Sequence, residues 1–414
     1  MDNGWVKPGA IIIVSFMVTF KLCVSTEMSA FKLLASFLPK LPFRPFASEA
    51  TFKTQPYVLY RLEGPPAPAV TLNRADALRF FEEMVTIHQM EATLNHLYKS
   101  KTVRGFCHLY SGQEAVAVGT FAALRPQDTT ITTYRCHGWG FLYYQSVDPI
   151  IAELVGVRSG CVRGKGGSMH IYGKHKDFYG GSAIVGSHVP VGVGIALAHK
   201  YRNTDAVSLI CYGDGATNNG NVLEAYNMAK LWELPCFFLC ENNIYGMGTK
   251  LERTTKNTNV FAKGDFIPGI RVDGMDVLSV REAARFAIEH IRAGKGPIIV
   301  EAQSYRYFGH SLSDPGTTYR TYDEIKEVRT TRDPITTFNK KILEAGLATE
   351  EELAAIEKKV KASVRESATK AEADHPVDVE ELTHDIYANE VISEVRGINK
   401  VWKHKSSGRA WNLK

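Results

Sequence analysis

From about residue 190 onward, stretches with the 3.6-residue apolar period of a helix alternate with short β-rich runs, and no other feature limits the possible folds as much. The pattern predicts helices over 191–201, 221–232 and 281–293, each leading into a strand, at 207–212, 236–241 and 298–303, with Gly294 stopping the third helix. Strands joined through helices lie parallel, because each crossover returns the chain to the same edge of the sheet. The expected fold class is therefore α/β, a mainly parallel sheet with helices on both faces. A long amphipathic helix is expected over 73–100, with Leu78, Phe81, Val85, His88, Ala92 and Leu97 near one face and His88 as a packed helix residue. A charged helix over 349–373 opens on a capping box, Thr349 with Glu352 three positions later.

Between Gly156 and Gly194 the chain carries eleven glycines. So many cost backbone entropy, which leaves two readings: a flexible linker, or loops that approach a ligand or another backbone closely. The apolar residues among them, including Met169, Ile171, Phe178, Ile184 and Val185, favour close-approach loops.

With 414 residues, 44% apolar and 22% charged, there is ample material for a large buried core. The net charge of +5 gathers at the ends, since 1–50 hold five Lys/Arg against three Asp/Glu and 395–414 hold six with no acid. A nearly neutral body without a basic, aromatic-interleaved face argues against nucleic-acid binding. The seven cysteines form no Cys-x-x-Cys pair, which argues against a disulfide scaffold and structural zinc. The apolar run 10–20 is too short to span a bilayer, and no other segment is a candidate span, so no membrane association is expected. From Met28 to Ala47 the chain holds Lys32, Lys40 and Arg44, several Ser and Phe, and no acid, the composition of a mitochondrial transit peptide. The expected division is an N-terminal extension over 1–50, a folded body over 51–403 and a basic tail over 404–414.

Chemistry concentrates at two strand ends. Gly213, Asp214 and Gly215 follow one predicted strand, and Asn242 and Asn243 follow the next, with 26 residues between the motifs. In a right-handed β-α-β unit both turns fall on the carboxyl edge, where ligands of open α/β sheets bind, so Asp214 and Asn243 should converge. One carboxylate and one amide oxygen suit Mg²⁺ that keeps some water and takes other ligands from a substrate's phosphates. The glycines let the backbone approach a diphosphate, and the adjoining helix start offers N–H groups to anionic oxygens. A Gly-Asp-Gly turn or an Asn pair alone is more often a plain turn; the two together, each at a strand end, are not. Gly192 and Gly194 lack the third glycine and acidic partner of a dinucleotide site, so a nicotinamide enzyme is rejected.

This spacing resembles the signature of thiamine-diphosphate enzymes. The stretches RGFCHL (104–109), GKGGSMH (164–170), EAYNMA (224–229), ENNIYGMGT (241–249), GDFIPG (264–269) and GHSLSDPG (309–316) extend the resemblance over about 70–403. They look like the alpha subunits of mitochondrial 2-oxoacid dehydrogenases, and the pyruvate branch fits better than the branched-chain one. The resemblance implies that thiamine diphosphate and Mg²⁺ are cofactors, with Asp214, Asn243 and the carbonyl of Tyr245 holding the metal. Tyr134, Arg135, Gly215, Ala216 and His310 would contact the diphosphate, Arg135 and His310 as cationic or donor partners. Val185 would support the pyrimidine, Gly173 and Ala183 would lie against the cofactor, and His108 would face the 2-oxoacid. His108 and His310 are the implied catalytic residues.

The resemblance also implies decarboxylation of pyruvate with acetyl transfer to lipoyl groups, in the mitochondrial matrix. It implies assembly with a beta subunit into an alpha-2-beta-2 heterotetramer, a lipoyl acetyltransferase partner, and a regulatory kinase and phosphatase acting at Ser311, Ser313 and Thr318. Departures are Phe308 in place of a second His, Ala183 in place of Gly, Thr318 in place of Ser and Lys250 in place of a third phosphorylatable Ser. A branched-chain enzyme and a non-catalytic paralogue that still binds a beta subunit are the competing readings.

Overall fold

A computed structural model describes residues 47–173, 177–379, 381, 394–396 and 401–403. The transit-type segment before Ala47 and the basic tail 404–414 lie outside the described residues. The strands in chain order are β1 (Glu49–Lys53), β2 (Val58–Tyr60), β3 (Ala69–Asn73), β4 (Thr129–Thr133), β5 (Phe178–Ser182), β6 (Ser208–Gly213), β7 (Cys236–Asn242), β8 (Tyr245–Gly246), β9 (Thr249–Lys250), β10 (Gly269–Asp273), β11 (Ile298–Gln303), β12 (Glu394–Arg396) and β13 (Val401–Lys403). Seven of them form one sheet in the order β2-β10-β11-β7-β6-β4-β5. All its pairings are parallel except that of the edge strand β2 with β10. The α/β fold and the mainly parallel sheet are thus as the alternating pattern predicts. Glu49 and Ala50, assigned by composition to the extension, lie in β1, which pairs with β3.

Central strands of a parallel sheet are covered on both faces, so successive side chains must enter two different cores. Leu209 and Cys211 of β6, with Phe237 and Leu239 of β7, join the cluster built on the helices Arg74–Lys99 and Val277–Arg292. Ile210 and Tyr212, with Phe238 and Cys240, face the other way, onto the helices His188–Tyr201 and Gly220–Leu231. The cysteines act as small hydrophobes, and the six among the described residues form no disulfide.

The helix Arg74–Lys99 forms as expected, but not on the expected face. Phe81 and Leu97 are buried, whereas Leu78, Val85 and His88 are half-buried and Ala92 is exposed. The buried stripe runs through Ala77, Phe80, Met84, Ile87, Met90 and Leu94. It is wide because the helix packs both on Glu114–Phe121 and on the charged helix Glu350–Ala373, whose start has the predicted capping box. Four strands of the sheet lie outside the three predicted: β2, β10, β4, which is TTITT, nearly all hydroxyl-bearing yet wholly buried, and β5, which is hidden in the glycine-rich stretch.

The first part of that stretch, 156–167, is a close-approach loop. Fully buried Glu153 accepts four backbone N–H groups from it, those of Val162 and Gly164 on Oε2, both at 2.9 Å, and those of Gly166 and Gly167 on Oε1 at 2.7 and 3.1 Å. A Cβ on Gly160 would stand 2.4 Å from the same carboxylate. Replacing Glu153 with Gln turns an NH₂ toward two of these donors. We expect Glu153→Gln to lower stability by about 3 kcal/mol, read as a drop in urea midpoint at unchanged slope; an unchanged midpoint would refute the clasp.

Candidate active site

The carboxyl ends of β5, β4, β6, β7 and β11 surround one cavity of about 850 Å³. It lies where the sheet's connections reverse direction, between β4, which leads outward to β5, and β6, which leads inward to β7. Such a switch point leaves a crevice because the flanking crossovers run to opposite faces. Ser182, Ala183 and Val185 enter from the end of β5, Tyr134 and Arg135 from β4, Gly213 to Ala216 from β6, Glu241 and Asn243 from β7, and Arg306 and His310 from beyond β11.

Asp214 opens a 3-10 turn that runs to Asn218, and Asn219 then caps the helix Gly220–Leu231. Burial pushes the Asp214 carboxyl up to about 6, against the pull of its own and Asn243's backbone N–H groups and of the Arg306 cation. Its Oδ2 is buried and has no partner, which leaves a carboxylate oxygen in need of a cation. Arg306 Nη1 donates to Asn243 Oδ1 at 3.2 Å and to the Tyr245 carbonyl at 3.1 Å. One guanidinium nitrogen thus gathers the other two oxygens assigned to the metal, and each keeps a further lone pair. Among the described residues no cluster of three or more His, Cys, Asp or Glu side chains could hold a metal ion. A cation at Asp214 therefore needs amide, carbonyl or ligand oxygens besides.

Across the cavity, the ring centroids of His108 and Tyr134 are 4.5 Å apart, those of His108 and His310 5.1 Å, and those of Tyr134 and His310 5.6 Å. Burial, reinforced by Arg135, holds the His108 imidazole down to about 2 and that of His310 down to about 4. Both are neutral at physiological pH, and each has a buried Nδ1 without a partner. Of the two roles open to His310, cationic partner or hydrogen-bond donor, the neutral imidazole fits the donor. Arg135 is itself buried, and it donates to the carbonyls of Leu109 at 2.6 Å and His310 at 2.9 Å. Much of its donor capacity locks two loops together.

The family model of the dehydrogenase E1 component matches residues 82–380. The chain belongs to this family. It is 52% identical over 363 residues to the pyruvate dehydrogenase E1 component subunit alpha, somatic form, mitochondrial, of Sus scrofa, covering 88% of this chain and 93% of that one. The Homo sapiens protein of the same name gives the same identity and coverage. The type I mitochondrial subunit alpha of Ascaris suum is 51% identical over 350 residues, 84% of this chain and 88% of its own.

Of the positions that the resemblance to E1 alpha subunits singles out, His108, Tyr134, Arg135, Ala183, Val185, Asp214, Gly215, Ala216, Asn243, Tyr245 and His310 all line the cavity, as do Ser311, Ser313 and Thr318. Gly173 does not: it is buried and bridges to Phe178 away from the cavity wall. Phe308 also stays out, packing its ring among the apolar clusters. Sequence reasoning missed Gln113, His188, Glu241, Arg306 and Tyr319. Gln113, His188, Arg306 and Tyr319 stand in none of the stretches that carry the resemblance; Glu241 opens one of them, ENNIYGMGT, and Glu241 and Arg306 each lie within three residues of a predicted strand end. In the loop, Ser311 is buried with its Oγ 2.8 Å from that of Ser313, which is exposed like Thr318. Asp314 holds the loop by accepting the His310 N–H at 2.6 Å, the Gly316 N–H at 2.8 Å and the Tyr319 hydroxyl at 2.7 Å.

The two histidines make acid stability measurable. In the unfolded chain each titrates near about 6.5, while the folded state resists protonation down to about 4 for His310 and lower for His108. Between those values the unfolded state binds more protons, so their contribution to stability is present above about 6.5 and is lost as pH falls. The double variant His108→Gln, His310→Gln should lose stability less steeply between pH 6.5 and 4.5 than the parent protein; equal slopes would mean that the pair does not titrate this way.

Proposed function

We propose that this chain is the alpha subunit of a mitochondrial pyruvate dehydrogenase, working with thiamine diphosphate and Mg²⁺ in the decarboxylation of pyruvate and the transfer of the acetyl group to lipoyl groups. The observation that carries the reading is the convergence of Asp214, with its unpartnered buried oxygen, Asn243 and the Tyr245 carbonyl on the carboxyl edge of a parallel sheet. The relatives named above are mitochondrial pyruvate dehydrogenase E1 alpha subunits, which supports pyruvate as substrate, the matrix as location, and partnership with a beta subunit and a lipoyl acetyltransferase.

Thiamine diphosphate, when bound, supplies the nucleophilic carbon and the electron sink for loss of CO₂. Asp214, Asn243 and the Tyr245 carbonyl would hold the cation against its diphosphate. Gly215 and Ala216 would allow the backbone to approach the anionic oxygens, and Tyr134 and neutral His310 would donate hydrogen bonds to them. Arg135 contributes positive charge while holding the loops of Leu109 and His310 in place. Val185 and Ala183 would lie under the pyrimidine. His108, kept neutral, would donate a hydrogen bond to the 2-oxoacid without carrying a charge into a dry site. Ile184, Val185, Met247 and Phe106 are large apolar residues left exposed around this cleft, as expected of a half-site that a beta subunit completes.

A regulatory kinase and phosphatase acting at Ser311, with Ser313 and Thr318 as further positions, fit the same loop. A phosphate on Ser311 would bring about −1.5 to −2 charges into a buried position beside Asp314 and would break the loop's packing.

Calorimetry on the coexpressed alpha–beta pair tests the cofactor reading: Asp214→Asn should weaken thiamine diphosphate binding in Mg²⁺ at least about 100-fold, with a parallel loss of decarboxylation. Turnover of pyruvate, 2-oxobutyrate and 2-oxoisovalerate by the same complex should be fastest with pyruvate. Faster use of the branched acid would make it a branched-chain enzyme, and no cofactor binding at millimolar concentration would make it a non-catalytic paralogue. Ser311→Glu should cut decarboxylation at least about tenfold, by introducing a buried charge at the site; full activity would reject the switch.

A further inference from the structure

Asn243 is gripped at both ends of its amide. Arg306 donates to its Oδ1, and its Nδ2 lies 2.9 Å from Gln113 Oε1. The polarity of this relay is fixed by chemistry, because a guanidinium carries only donors. The Asn243 atom facing Arg306 must be oxygen, so NH₂ faces Gln113, and Gln113 must answer with its own oxygen. The NH₂ of Gln113 is thereby turned to the other side. It is buried there without a partner, on a residue 1% exposed in the cavity wall.

The backbone around Gln113 is held as firmly as its amide oxygen. Gln113 sits at the start of the helix Glu114–Phe121, and its N–H donates to the Tyr110 carbonyl at 3.0 Å. Glu114, fully buried, accepts the Gly112 N–H at 2.8 Å and pairs with His88 Nδ1 at 3.0 Å. Gly112 itself has φ +96°, and a Cβ there would fall 2.2 Å from the Tyr305 carbonyl. A rigid mount that leaves a buried donor unpaired is unfavourable unless something accepts from it.

We infer that Gln113 is a further residue of the cation–diphosphate site: its carbonyl positions Asn243 with Oδ1 turned to the cation, and its NH₂ donates to an anionic oxygen of the bound diphosphate. This rests on the cofactor reading given above. It separates the two halves of one side chain, which two substitutions can address independently. Gln113→Glu keeps an acceptor for Asn243 but replaces the donor with an anionic oxygen. Gln113→Leu removes both.

The test uses the assembled alpha–beta complex. Thiamine diphosphate affinity at saturating Mg²⁺ is measured by calorimetry, and Mn²⁺ affinity at saturating thiamine diphosphate by electron paramagnetic resonance. Gln113→Glu should weaken thiamine diphosphate at least tenfold while Mn²⁺ affinity stays within threefold of wild type. Gln113→Leu should weaken both at least tenfold, at a melting temperature close to that of the parent complex. Both ligands bound within threefold of wild type by both variants would overturn the inference; unchanged thiamine diphosphate affinity in Gln113→Glu would overturn the donor role. If Gln113→Leu fails to assemble, the nearly isosteric Gln113→Glu decides alone. A wild-type complex that binds neither ligand would instead reject the cofactor reading itself.

Discussion

Everything at the site depends on how β6 and β7 are paired. They run parallel in a register that sets Gly213 opposite Glu241, so the chain leaves both strands at the same height and on the same edge. Asp214 and Asn243 then face one cavity although 28 residues lie between them in sequence. A slip of one residue would reverse the side chains of β7 between its two faces. Leu239 and Cys240 would exchange cores, and that packing penalty is what holds the register and with it the site.

Around this frame the protein has assembled an unusually dry set of polar groups. Arg135, Arg306, Asp214 and Glu241 are all buried around one cavity, where an unpaired charge is expensive. The structure meets the cost with backbone. Arg135 and Arg306 spend their donors mainly on carbonyls, and Glu241 accepts from the hydroxyl of Tyr110 and the indole of Trp139. The cations therefore both set the local field and pin loops that have no secondary structure of their own. Their field adds to the burial that keeps two histidines in the cleft neutral. Arg306 links the two halves of the arrangement, since its Nη2 reaches the Met247 carbonyl and the Tyr319 hydroxyl, and Tyr319 in turn holds Asp314 of the serine-bearing loop.

Much of this was legible in advance because the signals were local. Apolar runs such as Cys236–Asn242 and Ile298–Gln303 are strands by composition, and a Gly-Asp-Gly and an Asn pair at their ends announce a ligand edge. β4 was not legible, because Thr-Thr-Ile-Thr-Thr reads as polar until a sheet buries it. The face of the helix Arg74–Lys99 was misjudged for a related reason. Two partner helices on different sides widened its buried stripe beyond any single periodic face. Gly173 shares its glycine-rich stretch with Gly186, which does line the cleft, and only the path of the loop separates the two.

By itself the sequence determined the alternating α/β order, the two strand-end motifs and the membership of the chain in its family, since all three are written in contiguous residues. Only the tertiary structure decided which polar groups share the cavity. Gln113 and Arg306 are ordinary loop residues in sequence, with 192 residues between them, and they meet on Asn243 because the sheet order brings the segment after β11 beside the end of β7. The protonation of His108 and His310 is likewise tertiary, set by burial and by the two arginines that folding places next to them.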